Sequence, residues 1–306
     1  MNDLFWNIEQ ADVCNFADDT TLYACDLDLE NVLYKLEHDS LLAIEWFEAN
    51  YMKLNPEKCH LLVAGHKHEW TWAKIGNEII WESEEAKLLG VNIDRNLTFK
   101  THIANICMKA HRKLTAIARY SKILDFNKIR TLVTSFVESQ FAYCPLVWML
   151  HNRKINTKIN RLHERALRLI YSDDESTFEE LLKRDGTFTI HQRNIQCLAI
   201  EMFKVKNDIG PTLLRDIFKE REYVGPTLRT ISDFTIPKIN SVHYGENSLQ
   251  YFGGKIWNLI PSNIKSANNL ERFKSLIRGW APDRCPCKLC QQYIQNVGYI
   301  ENIATT

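Results

Sequence analysis

Long apolar runs and several familiar catalytic motifs are missing from this sequence of 306 residues. No stretch approaches the ~18 apolar residues of a membrane-spanning helix. The chain does not start with a basic segment followed by an apolar one, so we expect neither a membrane span nor a secretory signal. A Gly-rich phosphate loop and a nucleophile elbow are both absent, which excludes the sites built on those motifs. Its 45% hydrophobic and 25% charged residues are typical of a globular protein with two or three domains.

A disulfide framework is missing as well. The nine cysteines are odd in number and scattered along the chain, whereas small secreted proteins carry an even number at short spacings. We therefore expect reduced thiols in an intracellular protein, and both the nucleus and the cytoplasm suit that expectation.

Basic residues are almost absent from the first fifty positions, which hold twelve acidic residues and only Lys35 as a base. Residues 100–170 show the reverse, with fourteen bases and three acids. Two solvated faces that attract each other would explain this pattern. The alternative is a cation-binding centre beside a surface that grips a polyanion.

Two adjacent aspartates, Asp18 and Asp19, lie between the short apolar segments Val13–Ala17 and Thr20–Ala24, which predicts a tight hairpin. At a hairpin bend two neighbouring carboxylates can approach one site, and a divalent cation removes their repulsion. Mg²⁺ prefers one or two carboxylates together with substrate phosphates, and paired ions assist phosphoryl transfer. An exposed Asx-type turn without any metal is the competing interpretation.

The rest of the chain reads as an α+β protein. Asn31–Asn50 forms an amphipathic pattern whose acidic residues, Asp39 among them, lie off the apolar face. Further β segments are predicted at Cys59–Gly65, at Ala73–Ile75 and Glu78–Trp81 around a Gly76-Asn77 turn, and at Lys87–Asp94. Later helices are predicted at Leu97–Ser121, Asn127–Tyr143, Thr157–Tyr171, Phe178–Asp185, Thr189–Asn207 and Asn269–Trp280.

Several motifs resemble those of a known family, the reverse transcriptases of non-LTR retrotransposons. FADDTTLY (Phe16–Tyr23) resembles their aromatic-Ala-Asp-Asp signature. Two blocks that follow the signature in the family have counterparts in the same order, YMKLNPEKCHLLVAG (Tyr51–Gly65) and KLLGVNIDRNLTFKTHI (Lys87–Ile103). MNDLF (Met1–Phe5) is similar to the segment before the signature. SQFAYCPLVW (Ser139–Trp148) and CPCKLC (Cys285–Cys290) are similar to the thumb and tail of the jockey-like LINE group.

The resemblance implies a right-hand polymerase from the middle of its palm onward. It divides the chain into the C-terminal part of a palm, a small antiparallel sheet plus helix (1–103), a basic helical thumb (104–207), a helical and irregular C-terminal region (208–282) and a Cys-containing tail (283–306). The implied reaction is RNA-directed DNA synthesis, a two-metal nucleotidyl transfer to a DNA primer on an RNA template.

The resemblance also implies roles for individual residues. Asp18 would be the main ligand of Mg²⁺ or Mn²⁺ and Asp19 the second carboxylate, while Phe16 and Ala17 would shape the primer end. Lys58 would lie near the leaving pyrophosphate, and a strand with Leu89 and Gly90 would form the primer grip. Nucleic-acid contacts would come from Lys109, Arg112, Lys113, Arg119, Lys122, Arg161 and Arg165.

The family places its first catalytic aspartate on a strand well before the Asp-Asp hairpin, and this sequence begins shortly before that hairpin. We therefore expect the chain alone to lack polymerase activity, because neither ion would be held in catalytic geometry. A nucleic-acid-binding remnant without catalysis is the alternative function. A poorly folding, inert product with open sheet edges is a third possibility.

Cysteines and aromatic residues suggest two further sites. Cys285, Cys287 and Cys290 supply three thiolates at zinc-binding spacing, so the tail either binds Zn²⁺ with a distant fourth ligand or carries free thiols. Trp70 and Trp72 either pack or stack a base. We expect Trp46, Trp81, Trp148 and Trp257 in the core, and His102, His163 and His191 at the surface or at helix caps rather than as ligands.

Overall fold

A computed structural model describes residues 3–65, 69–150, 153–220 and 233–282, and the structural statements below concern these residues. The fold is mixed α and β, and it separates into two compact units, one ending at Phe99 and the other beginning at Lys100. Over the described ranges, no helix combines the length and apolarity needed to cross a membrane.

The first unit contains three antiparallel β-hairpins. Its strands are β1 (Asp12–Phe16), β2 (Asp19–Tyr23), β3 (Trp72–Ile75), β4 (Glu78–Trp81), β5 (Glu85–Leu88) and β6 (Val91–Asp94). Each odd strand pairs only with the strand that follows it, so the described strands form three separate two-stranded sheets. The single small sheet expected for a palm is therefore wrong for the described residues, and only its antiparallel character is confirmed.

Helix α1 (Leu29–Ala49) confirms the amphipathic helix predicted over Asn31–Asn50. Asp28 caps its N-terminus by accepting from the backbone N–H of Glu30. The small core of this unit forms around α1. It contains the buried residues Leu4, Ala43 and Trp46, with Ile8, Val13, Phe47 and Met52 packed against them.

Two β predictions in this unit are wrong in detail. Cys59–Gly65 contributes only one bridge, from Leu61 to Glu82, because no neighbouring strand runs alongside it for longer. Lys87–Asp94 is not one strand but parts of β5 and β6, since the chain reverses at Leu89 and Gly90. Their φ angles of 46° and 84° lie in the left-handed region that two-residue hairpin turns require. The Gly76-Asn77 turn between β3 and β4 is confirmed.

The second unit is helical. Its helices are α2 (Lys100–Tyr120), α3 (Phe126–Leu132), α4 (Ser139–Ala142), α5 (Pro145–Trp148), α6 (Arg153–Tyr171), α7 (Phe178–Asp185), α8 (Ile190–Lys206), α9 (Thr212–Ile217), α10 (Leu249–Leu259), α11 (Ser262–Lys265) and α12 (Leu270–Ile277). π-helical turns occupy Val133–Glu138 and Val242–Glu246. The first of them interrupts the helix predicted over Asn127–Tyr143.

The core of the second unit surrounds α8, which packs against α10 and α12. The rings of Phe203 and Phe273 stack with centroids 4.2 Å apart. Trp257 is buried beside them and donates its indole N–H to Asp233 Oδ2 at 2.6 Å. The expected burial of Trp46, Trp148 and Trp257 is confirmed.

Candidate metal site and nucleic-acid surface

The β1–β2 hairpin presents the aspartate pair at its tip. Phe16 and Asp19 are the last pair of the ladder, so Ala17 and Asp18 form a two-residue turn. Ala17 has a left-handed φ of 55°. The predicted hairpin is confirmed, with Asp18 in the turn and Asp19 as the first residue of β2, and both side chains are exposed.

One face of this hairpin contributes to the core and the other is solvent-exposed. Val13 lies opposite Leu22, on the face directed toward the core of α1. On the other face Phe16 is 66% exposed and lies directly across from Asp19. An exposed phenylalanine beside two carboxylates is a surface on which an aromatic base can pack.

Asn15 and Thr20 form a polar pair behind the tip, and the sequence did not single them out. They are cross-strand partners. Both polar atoms of the Asn15 amide and the Thr20 hydroxyl are buried, and none has a hydrogen-bond partner among the described residues. Such groups cost free energy unless they are satisfied by water or a ligand. The only sequence signal was two polar residues on the inward row of two apolar strands.

Asp39 on α1 fixes where β1 begins. Its buried carboxylate accepts hydrogen bonds from three consecutive backbone N–H groups, those of Glu9, Gln10 and Ala11, at 3.3, 2.8 and 2.5 Å. The His38 ring lies 3.0 Å away. Burial alone would raise the pKa of the Asp39 carboxyl, but these hydrogen bonds outweigh burial and lower that pKa below its ordinary value. Asp39 lies off the apolar face of α1, as predicted, and its side chain is nevertheless buried because the segment Glu9–Ala11 covers it.

Asp18 and Asp19 offer hard oxygen ligands of the kind that Mg²⁺ and Mn²⁺ prefer. Neither carboxylate forms an ion pair with a cation in the described part of the chain. The donor set therefore fits a divalent ion whose remaining ligands come from phosphates or water. Between residues 3 and 282, leaving out the gaps, no group of three or more His, Cys, Asp or Glu side chains is arranged to hold a metal.

The other residues assigned to the primer end lie on separate elements. Lys58 ends a 3₁₀ turn, Pro56–Lys58, and is exposed. Leu89 and Gly90 occupy the β5–β6 turn rather than a strand, so the predicted strand-like primer grip is wrong in its secondary structure. Among described residues, no hydrogen bond or ion pair joins Lys58 to Asp18 or Asp19.

A cationic surface covers α2, the turn after it and α6, and the two helices pack against each other. We call it the α2–α6 surface. Its members are Lys109, Arg112, Lys113, Arg119, Lys122, Arg161 and Arg165, all exposed except the half-buried Lys113. Arg165 reaches from α6 to α2, with Nη1 3.1 Å from His111 Nδ1. This contact brings the basic residues of the two helices near one another.

The cations of the α2–α6 surface lack acidic partners among the described residues. Several other cations of this unit are paired: Lys128 with Asp125 at 2.8 Å, Arg130 with Asp185 at 2.9 Å, Arg168 with Glu164 at 2.7 Å and Arg193 with Glu138 at 3.1 Å. Within the described ranges, none of the seven surface cations forms an ion pair with a carboxylate. Lys113 instead lies over the exposed ring of Phe136, 5.9 Å from its centroid. A face with uncompensated positive charge attracts polyanions.

The histidines correct an expectation. His102, His163 and His191 are buried rather than exposed or capping. Both ring nitrogens of His163 lack a hydrogen-bond partner among the described residues. Burial, with Arg193 nearby, lowers the pKa of His163 to about 3. Glu138 Oε1 lies 3.8 Å from Nε2, but it already pairs with Arg193 and so offsets little of the burial.

The proposed zinc ligands Cys285, Cys287 and Cys290 lie outside the described residues. Cys144 and Cys197, each of which could supply a distant fourth ligand, are exposed free thiols.

Comparison of the chain with protein-family models, with curated proteins and with solved structures finds no significant match.

Proposed function

We propose that this chain is part of a reverse transcriptase of the non-LTR retrotransposon class and that it binds a DNA primer paired with an RNA template. The observation that carries the proposal is the β1–β2 hairpin. It presents Asp18 and Asp19 next to an exposed Phe16, at the motif that resembles the catalytic signature of that family. The uncompensated charge of the α2–α6 surface supports the same proposal, since template and primer are polyanions.

In this proposal the carboxylates of Asp18 and Asp19 hold a Mg²⁺ or Mn²⁺ ion, with Asp18 as the main ligand. When bound, the ion would supply charge stabilisation for phosphoryl transfer. When both carboxylates turn toward one ion, its charge offsets their mutual repulsion. Phe16 packs against the terminal base of the primer, and Ala17 keeps the turn narrow because its side chain is small.

The metal site is tested by titrating Mn²⁺ into the protein and following the free-ion signal by electron paramagnetic resonance, with template–primer present. We expect an Asp18→Asn, Asp19→Asn variant to bind fewer Mn²⁺ ions than the wild type. A Glu84→Gln, Glu85→Gln variant is the matched control, because it neutralises another adjacent acidic pair in the same unit. Equal loss in both variants, or no loss in either, would contradict the site.

The reaction itself is tested by primer extension on an RNA template with Mg²⁺ or Mn²⁺. Under this proposal the chain alone gives no product, because no residue of this sequence matches the first palm aspartate of the family that it resembles. A product that disappears in Asp18→Ala would show instead that a carboxylate elsewhere in the chain completes the site.

A second candidate function is nucleic-acid binding without catalysis. The α2–α6 surface favours it, since seven cations without acidic partners need no metal centre to bind phosphates. The two candidate functions differ in whether nucleic-acid binding depends on Asp18 and Asp19. Binding that is independent of Asp18 and Asp19, with no Mn²⁺ taken up at the hairpin, supports the second.

A further inference from the structure

The β3–β4 hairpin and the residue Trp70 before it expose a large apolar face, of which the sequence pointed only to Trp70 and Trp72. Trp70, Trp72, Ile79 and Trp81 are 52%, 44%, 54% and 64% exposed. Trp81 was expected in the core, and this expectation is wrong because Trp81 falls on the outward row of β4. Tryptophans that cluster this way on a solvent-facing sheet surface are typical of binding sites. We call Trp70, Trp72, Ile79 and Trp81 the tryptophan face.

The strand register explains why Trp72, Ile79 and Trp81 share one side. Trp72 lies opposite Trp81, and Lys74 lies opposite Ile79. The inward row holds Ala73, which is buried in a hairpin that packs against α1. The Glu37 carboxylate on α1 accepts from the backbone N–H of Lys74 at 2.6 Å. Because α1 occupies the inner side, the outer side remains available to a partner.

The rings of the tryptophan face have room to accept a cation. Trp72 and Trp81 form no ring contact with another described residue. Trp70 forms a cation–π contact of this kind, because the guanidinium of Arg95 lies over its ring at 5.0 Å from the centroid. The same guanidinium is held by Glu82 at 3.6 Å. An arginine stacked on tryptophan and paired with a carboxylate is thus an interaction that this surface already makes.

The charge around the tryptophan face favours a basic partner. Residues 3–99 carry nineteen acidic and seven basic side chains. Glu69, Glu78 and Glu84 are exposed and lie close in sequence to Trp70, Ile79 and Trp81. At this face these glutamates would repel a polyanion, whereas they would attract a cationic segment.

We propose that the tryptophan face binds an arginine-rich segment of a partner protein. The guanidinium groups stack on Trp72 and Trp81, as Arg95 does on Trp70, and the surrounding glutamates hold the segment by charge. The proposal does not depend on the proposed function, because it involves neither the β1–β2 hairpin nor the α2–α6 surface.

Lys74 distinguishes this partner from single-stranded nucleic acid, which also stacks on exposed aromatic rings. Its ammonium lies in the row of Trp72 and forms no ion pair with a described carboxylate. It opposes a basic segment and attracts a phosphate backbone. Reversing its charge should therefore strengthen binding of an arginine-rich peptide and weaken binding of an oligonucleotide.

The test is fluorescence anisotropy with a labelled peptide of alternating arginine and glycine and a labelled oligothymidylate. For the peptide we expect a Trp72→Leu, Trp81→Leu variant to bind about tenfold more weakly than the wild type. Lys74→Glu should bind the peptide several-fold more tightly. Trp6→Leu is the matched control, since it removes another exposed tryptophan of the same unit, and it should change the affinity less than about twofold.

Three results would overturn the proposal. The first is no binding of the arginine peptide by the wild type. The second is equal binding by the wild type and the Trp72→Leu, Trp81→Leu variant, whose fold is checked by circular dichroism. The third is oligothymidylate binding that depends on Trp72 and Trp81 and weakens in Lys74→Glu, which would assign the face to unpaired bases.

Discussion

The Asp39 carboxylate ties the chain before β1 to helix α1 through three N–H groups in a row. We expect Asp39→Asn to lower the free energy of unfolding by about 3 kcal/mol at neutral pH. The asparagine amide has one acceptor oxygen where the carboxylate has two, and its NH₂ group would face backbone N–H groups that also donate. Urea unfolding followed by circular dichroism measures the change. Asp28→Asn is the control on the same helix, since asparagine caps as well as aspartate, and it should cost less than about 0.5 kcal/mol.

The pH dependence of this contribution follows from the pKa of Asp39, which lies below that of the unfolded chain. The stabilisation is therefore complete above about pH 4 and is lost as the pH falls through the lower pKa of the folded state. The difference in stability between wild type and Asp39→Asn should shrink in acid. A difference that is constant from pH 7 to acid would contradict this role for the carboxylate.

His163 also makes the protein less stable in acid, and its effect begins at a higher pH than that of Asp39. Its pKa of about 3 in the folded protein is far below the ordinary histidine value. The unfolded chain therefore binds a proton between roughly pH 6.5 and pH 3 that the folded protein does not bind. Stability should fall with decreasing pH over that range, with this residue contributing at most about 1.4 kcal/mol per pH unit.

The measurement for His163 is urea unfolding at several pH values between 7 and 4. His163→Leu should flatten the decline, because it removes the titrating ring while keeping the site apolar. His111→Leu, which removes an exposed imidazole of the same unit, is the control for the loss of a histidine. An identical slope in wild type and His163→Leu would assign the pH dependence to other groups.

Single residues such as Asp39 and His163 could not be assigned from the sequence, because their environments depend on distant segments. Helical periodicity places Asp39 off the apolar face of α1, and only the returning segment Glu9–Ala11 covers it. His163 is covered by residues from other helices, such as Phe178, whose ring lies 5.5 Å from the imidazole. Asp18 and Asp19, in contrast, were predictable because a local turn places them.

The β1–β2 turn is the element on which the candidate metal site depends. Ala17 adopts a φ of 55°, a conformation that costs an L-residue roughly 1–2 kcal/mol and glycine almost nothing. We expect Ala17→Gly to stabilise the hairpin by about 0.5 kcal/mol after the entropy of the unfolded chain is subtracted. Hydrogen exchange of the β1–β2 amides measures this stabilisation, and we expect their protection factors to be about twofold higher than in the wild type.

Ala86→Gly is the matched control for the turn. Ala86 lies within β5, and strand glycines are destabilising, so this change should lower protection in its own hairpin. Faster exchange of the β1–β2 amides in Ala17→Gly would contradict the strained turn.

Elements with strong local signals were predicted well. Thr177 and Thr189 each form a capping box, and Gly186 ends α7 at a φ of 66°, so α7 and α8 have the predicted bounds to within one residue. Elements without such signals were not. The Leu89-Gly90 turn carries a leucine in the left-handed region, which no turn preference suggests. Cys59–Gly65 is apolar like a strand, but a strand also needs a partner, and the sequence does not show one.

For the whole molecule, the charge pattern of the sequence reappears in the structure as two different surfaces. The first unit carries the exposed aspartate pair and the tryptophan face, and the second carries the α2–α6 surface. The α+β class and the basic helices were predictable, since both follow from composition and periodicity. The separation into three two-stranded sheets was not, because pairing between distant strands leaves no local trace.

The most direct test of the account is the salt dependence of template–primer binding, measured by fluorescence anisotropy with a DNA primer on an RNA template. An Arg112→Glu, Arg165→Glu variant should bind at least about tenfold more weakly than wild type. The slope of log affinity against log salt concentration should decrease by the amount expected for the loss of about two phosphate contacts. A Lys206→Glu, Lys274→Glu variant makes the same change in net charge at cations paired with Glu220 and Glu271, and should bind like wild type. Equal weakening in both variants, or no binding by the wild type, would contradict the assignment of the α2–α6 surface to nucleic acid.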